Sequence, residues 1–133
     1  MTQEEKDLLF KDLCARLPYG VKCKYYDCCE GDYEEGTICG FEREEYMQID
    51  GVCIRIEEVK PYLFPLSSMT EEQKKEYNSI IYHSVELHWQ RYYDVIDVDC
   101  YEELHDFYHK NHFDYRGLIP MDLANDATGL DIY

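Results

Sequence analysis

Positive charge is what this chain has least of. It carries 13 Lys and Arg against 29 Asp and Glu, a formal net charge of −16 over 133 residues. A field of that sign repels nucleic acid, anionic membrane surfaces and other polyanions, and it attracts basic protein surfaces. Long apolar runs are missing too, since nothing approaches the roughly 20 apolar residues that span a bilayer. The opening Met1-Thr2-Gln3-Glu4-Glu5-Lys6 has neither the basic start nor the apolar run of a secretion signal, which points to the cytoplasm. No Gly-rich phosphate loop, nucleophile elbow or Cys-His signature is present. These absences favour a binding protein over an enzyme, and no cofactor is expected.

Aromatic residues are abundant. Fourteen Tyr, five Phe and one Trp argue against the disorder that high charge alone would suggest. A chain of this length fits one domain, 1–133, and buries roughly two thirds of its unfolded surface without covalent staples. The seven cysteines (14, 23, 28, 29, 39, 53 and 100) form no regular framework. In a reducing compartment they read as buried thiols. Cys23, Cys28, Cys29, Cys39 and Cys53 lack the twice-repeated close pair of a zinc ribbon. Asp27, Glu30 and Asp32 flank Cys28-Cys29 and are expected to raise the pKa of that pair and slow its reactions.

The pattern predicts an α+β fold: a small curved antiparallel sheet, with an incomplete SH3-like barrel as its finer form, one N-terminal helix and two C-terminal helices. Thr2 and Glu5 form a capping box, and Leu9, Phe10, Leu13, Cys14 and Leu17 repeat at helical spacing over about residues 3–16, before Pro18-Tyr19-Gly20. Residues 21–66 read mainly as strands. Val21, Cys23 and Tyr25 alternate with Lys22, Lys24 and Tyr26; residues 27–36 read as an acidic loop; 37–41 as a second strand. Asp50-Gly51 suits a type I′ turn between 46–49 and 52–57, with Val52, Ile54 and Ile56 facing inward, and Pro61 and Pro65 close the region. Residues 70–111 read as mainly helical: Thr70 with Gln73 opens a helix reaching Arg91, residues 92–98 suit a short strand, and Asp99 with Glu102 opens a helix ending near Asn111. The tail, 112–133, has apolar residues without a clean period and is expected to pack on the body.

The run His112-Phe113-Asp114-Tyr115-Arg116-Gly117-Leu118-Ile119-Pro120 resembles a group of small uncharacterised proteins from mobile elements and phages of gut Bacteroidales. Leu17-Pro18-Tyr19-Gly20-Val21-Lys22, Val59-Lys60-Pro61-Tyr62-Leu63 and Ser67-Ser68-Met69-Thr70-Glu71-Glu72 resemble the same group in the same order. That group tends toward an Ala-Pro-Glu-Gly-like run where this chain has Ala127-Thr128-Gly129-Leu130. The resemblance implies a mobile-element origin and a part in phage–host conflict, as in counter-defence. It brings no catalytic residues.

Two acidic runs are the sharpest site signal. Residues 27–45 hold Asp27, Glu30, Asp32, Glu34, Glu35, Glu42, Glu44 and Glu45 against Arg43 alone, and residues 94–106 hold Asp94, Asp97, Asp99, Glu102, Glu103 and Asp106 with no Lys or Arg. A globule of this length is about 36 Å across, and duplex DNA of that length carries roughly 20 phosphate charges. The net charge is of the same order, so the surface can mimic DNA toward a basic protein partner; a solubilising acidic face is the plain alternative. The second reading is a small-ligand protein that sequesters a nucleotide, using Arg91, Tyr92, Tyr93, Lys110, Tyr115 and Arg116. An unrecognised hydrolase is the third. His105, His109 and His112 stand at zinc-compatible helical spacing, but no further ligand pattern supports a metal there; His83 and His88 read as core-rim residues.

Overall fold

The computed structural model describes residues 1–43, 45–91 and 98–133, and the side chains of all of these except 82–91 and 98–100. The protein is an α+β fold whose seven-stranded, mostly antiparallel sheet carries a helix from each half of the chain.

Helix α1 (Gln3–Arg16) starts at the expected capping box: Glu5 N–H donates to Thr2 Oγ1, and Thr2 N–H donates to Glu5 Oε2 at 2.9 Å. Its buried stripe is Leu9, Asp12, Leu13 and Arg16, so two of the four residues it turns inward are charged. A 3₁₀ turn over Leu17–Tyr19 follows, and Gly20 ends it at φ +68°, a conformation that favours glycine.

Strand β1 (Lys22–Asp27) alternates as expected, burying Cys23, Tyr25 and Asp27. β2 runs Asp32–Arg43 and pairs with β1 from Lys22–Thr37 to Asp27–Asp32. The acidic loop expected over 27–36 is therefore only the turn Cys28–Gly31; residues 32–36 are strand, because pairing with β1 outweighs the poor strand propensity of Asp and Glu. Gly36 is required there. A Cβ would meet Ile49 Cγ2 and Asp50 Oδ2 at 2.7 Å. Irregular register after Ile38 and Phe41 marks bulges where β2 meets β3 (Tyr46–Ile49). Asp50 and Gly51, at φ +49° and +86°, then turn the chain into β4 (Val52–Arg55). Ile54 and Ile56 face the core, but Val52 is 40% exposed; at the turn, the inward face has run past the core.

Pro61 does not close the strand region. It lies inside β5 (Val59–Pro65), where Val59, Pro61, Tyr62 and Leu63 are buried. Its missing N–H does no harm there, because Pro61 ends the ladder with β1 and the ladder with β7 begins one residue later. The tail supplies β6 (Phe113–Asp114) and β7 (Asn125–Asp126), both parallel to β5. Leu63 accepts from Ala127 N–H and Phe64 donates to the His112 carbonyl, both at 2.8 Å. Successive strand residues offer these groups to opposite edges, so β6 and β7 flank β5 on either side. The strand path runs β4-β3-β2-β1-β5-β6 and is open.

Helix α2 (Glu71–Arg91) opens on the Thr70–Gln73 capping box, whose two hydrogen bonds are 2.8 and 3.2 Å. Helix α3 (Val98–Lys110) begins one residue before Asp99, so Asp99 lies inside it and not at its cap. The short strand expected over 92–98 lies outside the described residues up to 97; Val98 is helical. Two apolar clusters result. One joins α1, the sheet and Leu118, Leu123 and Ala124 of the tail; the other joins Phe107, Tyr108 and Phe113 with Phe64, Tyr77, Ile80 and Leu104. No described helix is long and apolar enough to cross a membrane.

Candidate functional site

The β1–β2 hairpin positions the first acidic run. Asp27 closes the tip: its carboxylate accepts from Cys29 N–H at 2.9 Å and its carbonyl from Gly31 N–H at 2.8 Å. Glu30, Asp32, Glu34 and Glu35 are exposed. Their partners are neutral. Tyr33 N–H donates to Asp32, the Tyr25 hydroxyl to Glu34 at 3.3 Å and the Tyr62 hydroxyl to Glu35 at 2.9 Å. Burial, followed by that Glu35 contact, pushes the Tyr62 phenol up to about 12. Tyr33 is 62% exposed and packs edge-on against Tyr26 at 5.3 Å. The ion pairs of the described residues use Asp12, Glu57, Glu71, Glu76 and Asp122, and none uses a hairpin carboxylate.

Cys28 and Cys29 are exposed at the hairpin tip, as their polar loop suggests; Cys39 on β2 and Cys53 on β4 are exposed too, against the expectation of buried thiols. The neighbouring Cys28, then Asp27, hold the Cys29 thiol above its usual range. Asp27, Cys28 and Cys29 also form the one compact group of metal-ligand atoms among the described residues, within 4.8 Å of one another.

Of the second acidic run, Asp94 and Asp97 lie outside the described residues, and Asp99 is described by its backbone alone. Glu102, Glu103 and Asp106 are exposed on α3, where Asp106 accepts from the Tyr19 hydroxyl at 3.0 Å.

The aromatic and basic set does not converge. Tyr92 and Tyr93 lie outside the described residues, and Arg91 is described by its backbone. Lys110 leaves the set by pairing with Glu76 of α2. Tyr115 and Arg116 do meet, around a buried charge cluster that the sequence reading missed. Asp12 is fully buried; it accepts from Arg16 Nε at 2.7 Å and from Arg116 Nε at 3.0 Å. Both guanidiniums lie over the Tyr115 ring, at 5.3 and 4.9 Å. Arg16 also donates to the Phe113 carbonyl at 2.6 Å, covering an edge of β6. The available signal was Asp12 and Arg16 at i, i+4 on the apolar stripe of α1.

The histidines divide. His105 and His109 stay together on α3 with centroids 6.0 Å apart, and His109 Nε2 bonds the Tyr115 hydroxyl at 2.9 Å. His112 does not join them. Its φ of +59° ends the helical run, and its ring stacks on Tyr133 at 3.6 Å. Burial, with Arg16 nearby, drops His109 and His112 to about 4, so both are neutral at pH 7. His83 and His88 have side chains outside those described.

A shallow cleft on the outer face of the sheet was also not foreseen. It is lined by Lys24, Tyr33, Glu57, Glu58, Lys60 and Asn125. No protein-family model, curated protein or solved structure matches the chain.

Proposed function

We propose that this is a non-enzymatic, cytoplasmic interaction protein that presents the β1–β2 hairpin to a basic protein surface, in the manner of a DNA mimic of mobile-element origin. One observation carries the reading. Lys6, Arg16, Lys60, Lys74, Lys110 and Arg116 pair with carboxylates elsewhere, while Glu30, Asp32, Glu34 and Glu35 form no ion pair among the described residues, although Lys24 stands across the hairpin from Glu35. Unpaired carboxylates on a rigid two-stranded element keep their field, and that field steers a basic partner. Tyr26 and Tyr33 add the aromatic contact area that interfaces favour. A nuclease or repressor groove, the natural site of phosphates, is the kind of surface such an element fits.

The test compares two variants of equal charge. Glu30→Gln/Asp32→Asn/Glu34→Gln neutralises the hairpin; Glu71→Gln/Glu72→Gln/Glu76→Gln neutralises α2 by the same amount. Binding of a labelled Arg-rich peptide is measured over a range of salt. The hairpin variant is expected to lose about tenfold in affinity and to show a flatter salt dependence. Equal losses in the two variants would mean that net charge, and not the hairpin, is responsible.

A further inference from the structure

On the outer face of the sheet two lysines confront one another. Lys24 of β1 and Lys60 of β5 are direct cross-strand partners. Like charges in that register destabilise a sheet, and this chain has few cations to place. Neither ammonium is locked away. Lys24 Nζ lies 5.2 Å from the centroid of the exposed Tyr33 ring. Lys60 Nζ pairs at 2.7 Å with Asp122, whose side chain is 89% exposed, an exchangeable surface contact. From β7, Asn125 brings an amide whose Nδ2 is buried and has no hydrogen-bond partner among the described residues. That atom is closed off from solvent, so Asn125 lines the cleft without offering its Nδ2 to a ligand.

These groups line a cleft of about 250 Å³. Ordinary ligand pockets run from roughly 300 to 1,000 Å³, so this one suits a compact ligand. Its acidic lining limits the charge it can take. Glu57 is answered by Lys6 at 2.7 Å, whereas Glu58 has no ion pair among the described residues. Two ammoniums match the charge of about −1.5 to −2 on a phosphate monoester at pH 7. Glu58 and the net charge of −16 oppose any further phosphates.

We propose that this cleft binds a small phosphate monoester carried on a planar ring, with the phosphate between Lys24 Nζ and Lys60 Nζ and the ring against Tyr33. The site shares Tyr33 with the proposed interface, and its Lys24 stands across the hairpin from Glu35, but phosphate binding does not depend on the role of the hairpin carboxylates.

The experiment is a calorimetric titration at low ionic strength with four probes: phenyl phosphate, inorganic phosphate, adenosine monophosphate and adenosine triphosphate. Phenyl phosphate is expected to bind saturably and more tightly than inorganic phosphate, and the monophosphate more tightly than the triphosphate. Lys24→Gln and Lys60→Gln should each weaken phenyl phosphate about tenfold, the scale of one charge-assisted hydrogen bond. Tyr33→Ala should remove the preference for phenyl phosphate over inorganic phosphate while leaving the latter unchanged. Lys74→Gln, on α2, controls for net charge. Circular dichroism checks that each variant is folded; where Lys24→Gln is not, Lys60→Gln decides. Absence of saturable phenyl phosphate binding overturns the proposal, as does equal weakening by Lys74→Gln or tighter binding of the triphosphate. The hairpin variant Glu30→Gln/Asp32→Asn/Glu34→Gln should retain phenyl phosphate binding, which separates failure of this site from failure of the interaction reading.

Discussion

The stripe of α1 that faces the tail and the tip of the β1–β2 hairpin handle charge in opposite ways. On α1, Asp12 and Arg16 are both fully buried and answer each other, with Arg116 as a third member. At the hairpin, carboxylates stand in water with tyrosines and backbone amides as their partners. Buried charge without a partner is ruinous, so the first arrangement ties α1 and the tail into one geometry. Exposed charge costs little and reaches far, so the second is available to another molecule.

Breaking that contrast should have its largest effect on the buried side. Arg16→Met leaves Asp12 with one partner and uncovers the Phe113 carbonyl; a loss of about 3–5 kcal/mol is expected in urea unfolding. Gly36→Ala tests whether the base of the hairpin is as strictly built as the helix stripe. Its new Cβ would meet Ile49 and Asp50, at a cost of about 1–3 kcal/mol by the same measurement.

Acid should find the buried side next. His109 and His112 are held near 4 in the fold against about 6.5 when unfolded. The unfolded chain therefore takes up protons first, and stability that is complete above pH 6.5 declines as pH falls toward 4. The expected loss is on the order of 2 kcal/mol for each histidine at pH 5, and His109→Gln should flatten the slope of unfolding free energy against pH. The smallest stability effect belongs to the hairpin. Glu30→Gln/Asp32→Asn/Glu34→Gln should change unfolding free energy by less than about 0.5 kcal/mol. A larger loss would mean that those carboxylates are structural, and the contrast would fail.

Local chemistry made part of this readable in advance. The capping boxes at Thr2 and Thr70 and the Asp50-Gly51 turn depend on neighbours within a few positions, and each is where spacing places it. β5 escaped because Pro61 and Pro65 read as terminators; only the register with β1 and β7 shows why a strand tolerates them. Residues 32–36 escaped for the converse reason, since their strand character comes from β1 and not from themselves. The hairpin carboxylates were visible as composition. That no described cation pairs with them is a property of the fold, as is the meeting of Lys24 with Lys60 from strands far apart in sequence.

The placement of β6 and β7 on either side of β5 also sets an order of events during synthesis. Residues 59–65 leave the ribosome long before 113–126, and until then β5 has only β1 beside it. The nascent sheet thus carries open edges on its most apolar strand for the time needed to make both later helices, an interval in which chaperones or a second nascent copy compete for the vacancy.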